Sequence, residues 1–280
     1  MTFLNDLLRP VFDWLQYPLR GLPPFVGVLI WSIPVGVFAL WVFGKTSNQD
    51  RIAEVKRRIH AGLFEIRLFN DDLRAILRAQ WEIFGHVLHY QALALKPMLF
   101  ILPPLVLVMV QLHMFYGFRG LQPGESALLT VELGRGTIEE GTRPEAVIEL
   151  PDGLRAETPA VWVPSLSQLN WRIGVEDWGD YELILAIDGA RYSKRLVATD
   201  EVDRLAPERP PKTFFGQLEW PSEPPLDREG AVTKISIAYP DGTISFLGRH
   251  FEWRFAWMVI FFVLTMVVAL VLRKPMGVEL

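Results

Sequence analysis

The chain has 280 residues, half of them apolar, no cysteine, and a formal net charge of −4. Zero cysteine excludes disulfides, thiol catalysis and cysteine-based metal sites together. Mean hydropathy above zero points to membrane residence, and the absence of a dense basic stripe with interleaved aromatics argues against nucleic acid as a partner.

At the N-terminus, Leu4, Leu7, Leu8, Val11, Phe12, Leu15 and Leu19 recur at helical spacing, with Asp6, Arg9, Asp13 and Gln16 on the other side. This predicts an amphipathic interfacial helix within residues 1–22, with Trp14 and Tyr17 suited to the headgroup level. Packing of the same helix on protein is an equal alternative. Pro18, Pro23 and Pro24 then turn the chain into a first apolar span, 25–44, in which no residue is ionisable. A stretch of about 17–25 apolar residues is what a helix needs to cross the hydrocarbon. No basic n-region or small-residue cleavage site accompanies it, so it is expected to be an uncleaved anchor. Pro34 predicts a kink.

Residues 50–94 read as a water-facing helical hairpin. Ile52, Val55, Ile59, Leu63 and Ile66 mark one face of its first helix; Leu73, Ile76, Leu77, Phe84, Val87, Leu88 and Gln91 mark the second. Asn70-Asp71-Asp72 has the chemistry of a cap and an acidic first turn between them. Lys56, Arg57 and Arg58 form a solvated basic face, with proximity to anionic lipid as a second reading. The second span, 97–118, carries Pro103-Pro104, which predicts a local bend or unwinding. Polar residues inside membrane segments are functional candidates by default. Gln111, His113 and Ser32 are therefore the candidate groove-lining residues, with packing against a partner helix as the plainer role.

From residue 124 to 250 the period changes to two. Segments 129–133, 146–150, 161–163, 171–175 and 181–185 alternate between turn signals at Pro151-Asp-Gly153, Pro164-Ser165 and Asp188-Gly189. Short strands at this spacing predict an antiparallel β-sandwich. Asp177-Trp-Gly-Asp-Tyr181 ahead of a strand has the form of the tyrosine corner of immunoglobulin-like sandwiches. The six prolines from 207 to 225 predict an extended segment, and a last strand, 234–238, is expected to turn at Pro240-Asp-Gly242 into 244–246. A third span, 253–272, follows, with Trp253, Trp257 and Arg254 as its interface belt.

Charge sets the expected orientation. Residues 45–96 hold nine Lys or Arg against six acids, whereas 119–252 hold 14 against 23. Arg273 and Lys274 follow the last span at once. The positive-inside rule weighs basic residues in short segments near span ends. It predicts a multi-pass protein of the cell's inner (plasma) membrane, with the hairpin and C-terminus cytoplasmic and the N-terminus and sandwich outside. The fold class expected is thus membrane α + β, with three transmembrane helices, a cytoplasmic helical hairpin and an extracytoplasmic antiparallel, immunoglobulin-like β-sandwich.

Chemistry is sparse. Glu82, His86 and His89 share one helical face, but no second ligand set accompanies them, so no metal site is expected. Gly134-Arg-Gly136 has neither the spacing nor the strand-to-helix context of a phosphate loop. No nucleophile, metalloprotease or nucleotide motif is present, and the sequence predicts no enzyme and no cofactor.

The segments Leu7-Leu-Arg-Pro-Val-Phe-Asp-Trp-Leu15, the span to Gly44, the hairpin 50–94 and Lys96-Pro-Met-Leu-Phe-Ile-Leu-Pro-Pro104 follow one another in an order that resembles the YidC/Oxa/Alb insertase superfamily. The resemblance covers residues 1–118 plus the last span and is similar to the reduced three-span members. It implies assistance to the insertion or assembly of membrane proteins, with the bilayer, nascent membrane proteins and other membrane subunits as partners, and with Lys56, Arg57 and Arg58 of the hairpin as the candidate contact for a client or the ribosome. Two departures stand against it. No residue of the first span can serve as the family's groove cation, and the large domain between spans two and three is unlike the usual arrangement. The alternative is a non-catalytic membrane scaffold or assembly subunit whose sandwich binds an envelope partner.

Overall fold

A computed structural model describes residues 2–68, 72–134, 143–227, 230–246 and 248–278. Asn70 and Asp71 of the expected cap, and Arg135 and Gly136 of the rejected phosphate loop, lie outside the described residues. Asp72 does cap the helix after it, accepting from the backbone N–H of Arg74 through its side chain (2.8 Å).

The fold is mixed α + β with antiparallel sheets. Helices α1 (Thr2–Gln16), α2 (Pro24–Thr46), α3 (Gln49–Leu68) and α4 (Leu73–Tyr116) come first. Then follow β1 (Ser126–Leu133), β2 (Ala146–Glu149), β3 (Leu154–Ala156), β4 (Val161–Val163), β5 (Gln168–Val175), β6 (Gly179–Ile187) and β7 (Ala190–Ala198). The chain ends with β8 (Glu208–Arg209), α5 (Phe214–Glu219), β9 (Val232–Ile237), β10 (Thr243–Phe246), β11 (Arg249–Glu252) and α6 (Ala256–Leu272). It divides into two compact units: Met1–Val28 with Leu107–Val259, and Leu29–Val106 with Ile260–Leu280.

In the first unit, β3, β5, β1, β9 and β8 lie side by side with β4 also on β5, and a second sheet runs β2-β6-β7. Every other residue of β1 is buried: Ala127, Leu129, Val131, Leu133. Leu129 stands opposite Trp171 on one side and Ile237 on the other. With Leu183, Leu185, Ile187 and Leu196 of the other sheet, and Met114 and Phe118 at and after the end of α4, these form one apolar core. The strands thus exist because alternate side chains have a core to enter.

Tyr181 closes a turn of this core, its hydroxyl donating to the carbonyl of Asp177 four residues upstream (2.8 Å). Gly153 makes that possible. Its φ is +96°, and a Cβ there would collide with the Tyr181 hydroxyl. Gly153→Ala is expected to lose about 1–3 kcal/mol through backbone strain and the clash. A melting curve of the full chain in detergent checks it, and an unchanged Tm would refute the account.

The proline-rich segment lies across this unit rather than staying free of secondary structure. It contains β8, which pairs with β9, and α5, whose cap Thr213 accepts from the N–H of Gly216 (3.1 Å). Lys194 of β7 is completely buried and clamps the segment, donating to the carbonyl of Ala206 and to Glu223. The other Glu223 oxygen accepts from the backbone N–H of Arg195 (2.8 Å). The alternation rule overlooks β7 because Arg191, Lys194 and Arg195 interrupt it; Lys194 points inward nonetheless, since Glu223 meets it there. The expected hairpin from 234–238 into 244–246 is also replaced: β10 pairs with β11. Residues 240–242 are held instead by the turn after α4, through Arg119 N–H to the Pro240 carbonyl (3.1 Å) and Gly242 N–H to the Gly117 carbonyl (3.0 Å).

In the second unit, Ile52 and Val55 of α3 and Ala79 of α4 are buried. Gly62 sits so close to Ile83 that a Cβ would stand 2.7 Å from it. Helix α4 differs from expectation: the second hairpin helix and second span are one continuous helix of 44 residues, Pro97, Pro103 and Pro104 included. Proline's fixed φ is itself helical, so although each ring removes a backbone donor and crowds the carbonyl four residues earlier, the bonds around it carry the helix through. Two helices, Pro24–Thr46 and Ile76–Tyr116, are long and apolar enough to cross a membrane, and Ala256–Leu272 is a shorter apolar helix.

Candidate functional site

In the first unit, α1 lies with its polar side against protein. Asn5 donates to the carbonyl of Gln217 (2.6 Å), Thr2 to the Gln217 side chain (2.6 Å) and Gln16 to the Tyr116 hydroxyl (2.9 Å). Asp13 pairs with Arg204 (2.6 Å). Much of its apolar side is left outward: Phe3 is 83% and Trp14 75% exposed, with Leu7 and Val11 also open, while Phe12 is buried and Leu4 and Leu8 are half-buried. A soluble amphipathic helix does the reverse. Of the two expectations for this helix, packing on protein is the one these contacts show.

The centre of that polar seam is Arg204, 3% exposed. Its Nε donates to Asp13 and its Nη1 to the Gln111 side-chain oxygen (2.9 Å), and its guanidinium lies 4.6 Å from the Phe115 ring. The Nη2 group is buried with no partner among the described residues. Burial pushes the guanidinium pKa down, and Asp13 opposes it. Nothing in the local sequence marks this residue; only the pairing with Asp13 and Gln111, far away in the chain, reveals it.

The three expected groove residues have separate partners. Gln111 is spent on Arg204. His113 accepts from the indole of Trp257 (3.3 Å) and stacks on Phe255 with ring centroids 5.7 Å apart. Ser32 is fully buried, and its hydroxyl donates to the carbonyl of Leu29 in its own helix (2.7 Å). No two share a partner among the described residues.

The basic run on α3 is partly occupied. Arg58 pairs with Glu54 (2.5 Å), and Lys56 lies 6.0 Å from the Tyr90 ring centroid, while Arg57 is exposed. Glu82, the acid of the rejected metal face, pairs with Arg78 (3.0 Å).

The larger feature of the hairpin is apolar. Ile76, Ala79 and Ile83 turn towards α3, but a second stripe of α4 does not. Leu77, Trp81, Phe84, Leu88, Gln91, Leu95, Met98 and Leu102 recur at alternating steps of four and three, and every one is exposed. Trp81 is 76% exposed and stacks on Phe84, with centroids 5.6 Å apart. This is the spacing of a coiled-coil seam, in which each residue is a knob awaiting a facing helix. It runs unbroken from the hairpin into the apolar span. Sequence periodicity reveals the stripe but assigns it to the hairpin's interior, because the two apolar stripes of α4 overlap in a one-dimensional reading.

Set against known proteins, the chain matches no family model and no curated protein.

Proposed function

We propose that this chain assists the insertion or assembly of other membrane proteins by holding their apolar helices along the exposed seam of α4. The observation that carries the reading is the seam itself, running from Leu77 to Leu102 with no partner helix on it among the described residues. A contiguous apolar surface of this length is costly to leave in water and marks an interaction site. Its occupant is an apolar helix, since seam and span are continuous and a transmembrane segment is the ligand that remains apolar in both. Gln91, the single polar residue of the seam, offers such a segment one hydrogen bond.

In this reading three apolar helices cross the bilayer, the hairpin and C-terminus are cytoplasmic, and the sheets form an immunoglobulin-like sandwich outside. The hydrogen bond from Tyr181 to Asp177 favours that sandwich assignment. The architecture resembles the YidC/Oxa/Alb superfamily, and no catalytic step is invoked. The proposed mechanism departs from a polar groove. Gln111, His113 and Ser32 each have partners of their own, so the client is met by apolar side chains instead.

A second reading, a scaffold or assembly subunit with an envelope partner, is favoured by that same satisfaction of the three polar residues. Site-specific photocrosslinking separates the two. A photoreactive residue at position 81 or 84 is expected to capture a nascent membrane protein, and one at 111 is not. Trp81→Glu with Phe84→Glu is expected to reduce capture from position 88 about tenfold, the effect of roughly 1.4 kcal/mol, without changing the melting curve. Adducts only to a second copy of the chain, or none in folded protein, would overturn the client reading.

A further inference from the structure

The first unit contains a cavity of about 530 Å³ where α2 begins and α4 ends. We propose that it holds the headgroup of a phospholipid bearing a phosphate and a primary ammonium, that is, a phosphoethanolamine headgroup. This rests on the reading that α2 and α4 cross the bilayer, and not on the seam of α4 or on client binding.

The volume lies within the range of small-ligand sites, and the lining carries both signs of charge. Arg20 and Arg119 stand in the wall, with the carboxylates of Asp200 and Glu201. Arg119 is held by Glu125 through two hydrogen bonds (2.9 and 2.8 Å), and that pairing raises its pKa. Arg20 pairs with Asp203 through one nitrogen (3.0 Å), yet its Nε is buried with no partner among the described residues. The Arg20 side chain is nonetheless 31% exposed and lines the cavity, so its guanidinium edge can meet a phosphate there. The 23-residue helix α2 starts in the same wall at Pro24, so its positive end adds to the attraction for a phosphate.

The carboxylates decide which headgroup fits. Asp200 and Glu201 are exposed and form no ion pair among the described residues. An anionic headgroup would bring its charge beside two unpaired carboxylates. A quaternary ammonium would offer them no N–H. A primary ammonium supplies three donors to carboxylates while the phosphate meets Arg20. Phe115 and Phe118 give the wall an apolar part, against which glycerol and the first acyl carbons can pack. The cavity also lies where the apolar helices α2 and α4 meet polar chain. That is the depth at which a lipid headgroup, rather than a soluble molecule, is presented.

The test uses the full chain in detergent. Native mass spectrometry and melting curves are recorded with phosphatidylethanolamine, phosphatidylcholine or phosphatidylglycerol of identical acyl chains. Phosphatidylethanolamine is expected to be retained about tenfold better than either, corresponding to one charge-assisted hydrogen bond. Asp200→Asn with Glu201→Gln, both exposed and away from the core, is expected to abolish that preference with the melting point unchanged. Arg20→Gln is expected to weaken all three lipids. Equal retention of the three lipids by the parent chain, or a preference surviving in the doubly neutralised variant, overturns the proposal. Soluble phosphoethanolamine alone raising the melting point as much as the lipid would also overturn it, by assigning the site to a free metabolite.

Discussion

Glu223→Ala is expected to destabilise the protein by about 3–5 kcal/mol, the effect of stranding a buried charge. Lys194 is completely buried and Glu223 nearly so. Glu223 also satisfies the N–H of Arg195, so its removal leaves the buried ammonium without its counter-charge, with only the Ala206 carbonyl as acceptor, and the backbone donor with none. Replacing both members with methionine is expected to recover much of the loss, because two apolar side chains of similar volume carry no desolvation penalty. The single and double variants form a cycle whose coupling term isolates the pair. A loss below about 1 kcal/mol in Glu223→Ala would show that water reaches Lys194, contrary to its burial.

The same variant has a pH signature. Burial, the largest influence, holds the Lys194 pKa below the ordinary 10.5, and Glu223 raises it back in part. Without Glu223 the folded-state pKa falls further. Between that lowered value and 10.5, the unfolded chain binds more protons than the folded one. Stability of the variant therefore rises with pH across this window. The deficit relative to the parent chain is expected to shrink between the variant's folded-state pKa and the parent's, which is itself below 10.5, and to be constant above that. A deficit constant with pH would place the loss in packing and not in charge.

Arg204→Met is expected to cost about 2 kcal/mol, mainly by leaving the buried Gln111 oxygen unsatisfied, since Asp13 is 38% exposed and can turn to water. Its consequence is local. Asp13, Gln16 and Asn5 are the polar contacts that hold α1, and loss of the central one is expected to expose residues 2–16 to protease well before the sheets open. Arg204→Lys is expected to recover only part of the protection. An ammonium acts as a point donor and cannot reproduce the fork that serves Asp13 and Gln111 at once. Equal protection in parent and Arg204→Met would show that the apolar side of α1 suffices to hold it.

The helices were readable because each depends on a local pattern: 20 positions without charge in 25–44, or the apolar spacing of 52–66. Strands β1, β5 and β6 were readable for the same reason, since their inward residues alternate. β7 was hidden because its inward position 194 is a lysine, and its burial depends on an acid 29 residues later. The hairpin 234–246 was misassigned because Pro-Asp-Gly is a turn signal in isolation, whereas here the segment is pinned to residues 117–119.

Amphipathicity, charge asymmetry and the apolar runs follow from nearest neighbours along the chain, so the sequence by itself determined the positions of α1, α2, α3 and α6, the alternating strands and the absence of cysteine chemistry, but not that α4 runs on as one helix or that α5 exists. Which face of α1 meets protein, which stripe of α4 is left open, and that Arg204 gathers Asp13 and Gln111 were decided only by tertiary structure. Each depends on groups about a hundred or more residues apart, or on a choice between two apolar stripes of one helix. Local periodicity is blind to both, because burial energy depends on what arrives opposite a side chain and not on what precedes it.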